Sequence, residues 1–106
     1  MPRQQLELGR LVIRKGERAS SEVKLHGDTV VLTVYVPELT GDTAEVQVSP
    51  DGSDSYLTYV HKGIPVRLAR GRAFDVPIPA CRSLRVISSA DEESERTFHV
   101  LELLEM

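Results

Sequence analysis

A chain of 106 residues, 41% of them hydrophobic, is the size of one domain and can bury a core without disulfides or metal. Its formal charge of −3, from 13 basic and 16 acidic residues, lacks the basic excess that marks a nucleic-acid-binding protein. No run approaches the ~18 apolar residues of a membrane span, and the start MPRQQLELGR has no apolar signal core, so a soluble chain without an export signal is expected.

Two Phe, three Tyr and no Trp leave the core to Val, Leu and Ile, and a Val-rich list favours strands, because branched β-carbons suit a pleated surface. Residues 1–10 read as an N-terminal arm, flexible over 1–5, ahead of a β-domain over 11–106. LVIR (11–14) is a short apolar stretch, followed by the polar turn KGERASS. EVKL (22–25) alternates as a half-buried strand does, and His26-Gly27-Asp28 is a turn. TVVLTVYV (29–36) is the strongest strand, with Val30, Leu32, Val34 and Val36 on one face and Pro37 ending it. TAEVQVS (43–49) places Ala44, Val46 and Val48 inward.

SPDG (49–52) has the residue order of a tight turn and predicts a hairpin from TAEVQVS to YLTYV. Further strands are expected at IPVRLA (64–69), AFDVPI (73–78) and SLRVIS (83–88), where Pro65, Pro77 and Pro79 confine the proline-bearing ones to edge positions or to imperfect pairing. The last is RTFHVLELL (96–104), apolar on both faces, which suits a central strand or one whose tail packs on another chain. About eight short strands separated by turns predict an all-β fold, a single antiparallel β-sandwich or barrel.

Nothing in this pattern is a reaction centre. His26, His61 and His99 lie far apart, without the close ligand pairs of a zinc site. The SPDGSDS loop offers only Asp51 and Asp54 as carboxylates, too few for calcium. Cys81 is the sole cysteine and reads as a buried free thiol, and no serine lies in a Gly-x-Ser-x-Gly elbow. No enzyme activity and no cofactor are expected. Charge is more informative. From His61 to Arg85 the chain carries Lys62, Arg67, Arg70, Arg72, Arg82 and Arg85 against one acid, Asp75, and DEESE (91–95) follows. Both stretches suit a solvated surface; they also suit a dipolar one whose arginines fork onto carboxylates of a neighbouring protein.

In order, VIRKGERASSEVKL, VVLTVYVPELT, AEVQVSPDGSDSY and RSLRVISSADEESERTF resemble small virion structural proteins of tailed bacteriophages. The residues concerned are Gly16, Ser20, Pro37, Ser49, Asp51, Gly52, Leu84, Arg85, Ser88 and Arg96, over about 11–103. The loop after Asp51-Gly52 lacks the aromatic expected within two residues, and DEESE is particular to this chain. The resemblance implies a jelly-roll sandwich, no cofactor, and a capsid decoration or cement role on the virion surface after synthesis in the host cytoplasm. The major capsid protein would be its partner and a homo-oligomer, a trimer by analogy, its state. On that reading Arg67, Arg70, Arg72 and Arg82 are the partner-binding candidates. The competing reading is a carbohydrate- or receptor-binding module on a phage particle or tail; stacking on a sugar relies on exposed aromatics, of which the chain has five in all, and some of its tyrosines, Tyr35, Tyr56 and Tyr59, are expected in the core.

Overall fold

The computed structural model describes residues 3–25, 29–77 and 82–105. Its strands are β1 (Arg3–Ile13), β2 (Val23–Lys24), β3 (Thr29–Tyr35), β4 (Thr43–Ser49), β5 (Leu57–Thr58), β6 (Val60–His61), β7 (Ile64–Pro65), β8 (Arg67–Ala69), β9 (Ala73–Val76), β10 (Ser83–Ser88) and β11 (Arg96–Glu105). One sheet has the order β1-β11-β3-β9. The other runs β2-β10-β4, with β5 and β8 sharing the far side of β4. All pairings are antiparallel. In chain order β1, β2, β3, β4, β8, β9, β10 and β11 visit the sheets as first, second, first, second, second, first, second, first. That is the winding of a jelly roll, and β5, β6 and β7 are an insertion between its fourth and fifth strands.

The core is aliphatic except for Phe98, as the composition suggests. Leu11, Ile13, Leu32, Val34, Phe98 and Val100 from the first sheet pack with Ala44, Val46, Leu68, Leu84 and Val86 from the second. Each of these side chains larger than alanine contributes about 1.5–3 kcal/mol by leaving water. On β3 the expected inward face holds at Leu32 and Val34, and continues to Val36; the side chain of Val30, like His26 and Cys81, lies outside the described residues. β11 is central, between β1 and β3, as its two apolar faces suggested. β9 is the edge of its sheet, where Pro77 ends it.

Three local expectations are corrected. From Arg3 onward the supposed arm is the first half of β1, laddered to β11 from Arg3↔Glu105 to Ile13↔Arg96. A β-bulge between Glu7 and Gly9 conceals it in the sequence. Leu8, the extra residue of the bulge, packs on the core, as do Leu11 and Ile13 after it, so the apolar positions change from even to odd and break period two. On β4, Val48 is only half-buried and Ser49 takes the interior position. The Ser49 hydroxyl turns in to donate to the Ser53 carbonyl at 2.9 Å, closing the SPDG loop, where the Asp51 carboxylate accepts from Ser53 N–H at 2.9 Å. Finally, YLTYV and IPVRLA are each split, at Tyr59 and Val66. Both backbones bend in to Val46: Tyr59 N–H donates to Val46 O, Val46 N–H to Val66 O, and Val66 N–H to Tyr59 O, each at 2.9 Å.

The bulge depends on a residue without a side chain. A Cβ at Gly9 would stand 2.8 Å from Val23 Cγ1 on β2, and a valine has no alternative rotamer of similar energy to escape to. Gly9→Ala is expected to cost about 1–3 kcal/mol by overpacking, measurable as a lowered urea midpoint.

Candidate functional site: the β5–β7 insertion and its basic flank

Two outward features differ from an ordinary solvated jelly roll. The first is the insertion. Residues 59–66 leave the sheet at Val46 and return to it, forming a two-stranded ribbon, Val60↔Pro65 and His61↔Ile64. Lys62 (φ 53) and Gly63 (φ 81) make its two-residue tip, the pair of positive φ angles that a tight hairpin following the strand twist requires. Leu57 is 63% exposed, Val60 49% and Ile64 69%. Such a ribbon is marginal in water by itself, and Val60 and Ile64 on it, with Leu57 on the neighbouring β5, leave the insertion's most apolar parts uncovered.

Lysine is a strained occupant of the first tip position, and asparagine tolerates it better. Lys62→Asn is expected to slow amide exchange across His61↔Ile64 about threefold, corresponding to roughly 0.6 kcal/mol; unchanged exchange would mean that the tip is unstrained.

The basic flank is dispersed. Arg67 on β8 faces Glu45 on β4 and donates to it from Nε at 3.3 Å. Arg70 and Arg72 lie on the β8–β9 turn, where Arg70 Nη1 donates to Leu39 O at 3.5 Å. Arg82 stands at the opposite end of the sheet, its N–H donating to Ser49 O at 3.0 Å. β4 separates the ends by its seven residues, about 20 Å. The structure therefore keeps Arg67 next to the insertion at the start of β8, puts Arg70 and Arg72 on the turn at the other end of β8, and leaves Arg82 apart, beside Lys24 and the Asp51-Gly52 loop. Among the described residues no hydrogen bond or ion pair engages the Arg72 or Arg82 side chain. Residues 55–74 contain Lys62, Arg67, Arg70 and Arg72 and no acid.

A buried carboxylate holds the end of the sandwich that carries Arg70 and Arg72. Glu92, within the DEESE stretch, is 1% exposed. It accepts from Ser88 Oγ (2.6 Å), Thr40 N–H (2.8 Å), Gly41 N–H (3.4 Å) and Arg96 Nε (2.9 Å). Burial alone would raise the carboxyl; the Ser88 hydroxyl, the Thr40 and Gly41 amides and the Arg96 guanidinium outweigh it and hold it below its usual value. The loop at 37–42 is thereby fixed, and Pro37 O and Asp42 O in turn accept from Gly71 and Arg70 N–H. DEESE is therefore not surface throughout: Asp91 is exposed, pairing with Arg18 at 2.9 Å, but Glu92 is interior. Serines 20, 49 and 88, three of the residues that carried the resemblance, are buried hydrogen-bonding positions.

The second outward feature is an open depression of about 490 Å³ on the outer face of the first sheet, lined by Glu7, Arg10, Tyr35, His99 and Leu101. The register Arg10↔His99↔Tyr35 forms one cross-strand row, and the bulge brings Glu7 beside it. Glu7 Oε1 accepts from Arg10 Nε at 3.1 Å and pairs with His99 Nδ1 at 3.3 Å. These bonds, Arg10 first, hold the Glu7 carboxyl below its usual range. The other tyrosines are engaged: Tyr56 donates to Glu22 and lies under the Arg85 guanidinium, 4.2 Å from its ring centre, and the Tyr59 hydroxyl donates to Pro77 O at 3.2 Å.

Compared with known proteins, the chain matches no family model, no curated protein and no solved structure.

Proposed function

We propose that the chain is a non-enzymatic virion structural protein, a capsid decoration or cement subunit that binds across adjacent major capsid subunits and stiffens the shell from its outer surface. One observation carries this reading: Leu57, Val60 and Ile64, exposed aliphatic side chains, all lie on an insertion added to an otherwise complete jelly roll. An exposed apolar element whose chain runs on into the basic β8 and β8–β9 turn has the make-up of a protein-docking surface. Jelly rolls occur in capsid and lectin domains alike, so the insertion, not the fold, favours assembly. The sequence resemblance to virion proteins supports the same partner.

The mechanism is burial. The ribbon supplies apolar contact, while Arg67, Arg70 and Arg72 meet carboxylates on the capsid and orient the approach. A stable interface buries roughly 1,200 Å² or more, beyond what one eight-residue ribbon covers, so the contact extends over the β8–β9 turn and onto a second capsid subunit. Bridging two subunits raises the free energy of separating them, and repetition over the lattice multiplies the effect. The test is co-sedimentation of the purified chain with capsids assembled from its own phage's major capsid protein. Retention by assembled capsids and not by unassembled subunits is expected; equal binding to both, or to neither, would reject the proposal.

A further inference from the structure

The depression on the outer face of the first sheet lies on a different surface from the insertion and is not used by capsid docking. Its chemistry is specific. Glu7 Oε1 is occupied by Arg10 and His99, and among the described residues no hydrogen bond reaches Glu7 Oε2. Because a carboxylate only accepts, His99 donates to Glu7 from Nδ1, which in the neutral imidazole leaves Nε2 as the acceptor. Arg10 spends Nε on Glu7 and keeps both terminal nitrogens as donors. Tyr35 is 47% exposed and stands across His99 from Arg10, with Leu101 as the apolar neighbour.

Acceptors and donors therefore alternate at the mouth: Glu7 Oε2 and His99 Nε2 accept, and the Arg10 terminal nitrogens and the Tyr35 hydroxyl donate. A vicinal diol matches that arrangement, because each hydroxyl gives one hydrogen bond and receives another. The exposed Tyr35 ring offers a flat apolar face for the C–H side of a sugar ring. The charges of Glu7 and Arg10 cancel locally, which leaves no net field to draw in an anion and disfavours a carboxylate or phosphate ligand that would meet Glu7. We propose that this depression is a binding site for a neutral pyranose, the terminal sugar of a glycan, stacked on Tyr35 and held through two adjacent hydroxyls by Glu7, Arg10 and His99. The site does not depend on the capsid proposal, since none of its residues lies on the insertion.

The experiment is a titration of the ¹⁵N-labelled full chain with methyl glucoside, methyl mannoside and methyl galactoside, with sialic acid as the charged comparison. At least one neutral glycoside is expected to bind with a Kd of ~1 mM, shifting the amides of Glu7, Arg10, Tyr35, His99 and Leu101. Tyr35→Ala should weaken it about tenfold or more, Tyr35→Phe should retain most of it, and Glu7→Gln should weaken it by removing the second acceptor while the far-UV spectrum stays unchanged. No shift at these residues with any neutral glycoside overturns the proposal. So does binding of sialic acid alone, or binding that Tyr35→Ala leaves intact.

Discussion

Replacing Leu57, Val60 and Ile64 together by serine is expected to abolish co-sedimentation with assembled capsids while leaving the urea midpoint nearly unchanged. The two effects separate because these side chains are exposed in the free chain. Surface substitutions move stability by about 0.5 kcal/mol or less, whereas apolar anchors at the centre of an interface cost about 1–3 kcal/mol each when truncated. Three together predict a fall in affinity of more than about 100-fold. Arg67, Arg70 and Arg72 act differently. Changing all three to alanine should weaken capsid binding and flatten its salt dependence, since rim charges set the approach more than the residence time. A triple-serine variant that sediments like wild type would remove the insertion from the mechanism; unchanged salt dependence in the alanine variant would remove the arginines.

Glu92→Ala is expected to be the most damaging single change to the fold. It leaves Arg96, whose side chain is only 21% exposed, and the amides of Thr40 and Gly41 without their acceptor. Breaking a buried pair by deleting one partner costs about 3–5 kcal/mol, a large share of the ~5–15 kcal/mol that holds a domain together. Glu92→Gln keeps the volume and one acceptor oxygen and should cost less, about 1–3 kcal/mol. Acid dependence distinguishes charge from shape. The Glu92 carboxyl is held below the 4.5 of its free state, so the folded chain binds its proton more weakly than the unfolded chain does. The resulting stability is fully present above 4.5 and is lost as the pH falls through the lowered folded value. The gap in urea midpoint between wild type and Glu92→Gln should therefore be constant near neutrality and narrow below pH ~4. A gap that stays constant into acid would mean that the carboxylate charge contributes nothing. Because Glu92 fixes the 37–42 loop against the Arg70–Arg72 turn, variants that stay folded should also bind capsids less well.

The strands were legible wherever apolar alternation ran unbroken. Leu32 and Val34 on β3, Ala44 and Val46 on β4, and the two-faced β11 all lie where period two places them. What escaped was set by contacts between distant residues. The bulge at Glu7/Gly9 changes the phase of β1 and made a paired strand look like an arm. The change of parity from Leu8 to Leu11 across a glycine was the signal available. Glu92 gave none: its acidic neighbours suggested solvent, and its partners Thr40, Gly41, Ser88 and Arg96 converge only in the folded roll. Similarly, the run of arginines seen along the chain is not one cluster in space, because Arg82, just before β10, lies at the far end of β4 from Arg67, Arg70 and Arg72. Tyr35 was identifiable as outward-facing on β3, but its company of Glu7, Arg10 and His99 follows from the order β1-β11-β3, which local pattern does not specify.

Hydrogen–deuterium exchange of the chain, free and bound to assembled capsids, tests most directly whether an outward element of this jelly roll performs its task. Slowed exchange over residues 57–72, with the interior strands β10 and β11 unchanged, is the predicted result. Exchange at 57–72 that matches the free chain while the complex stays intact would contradict it.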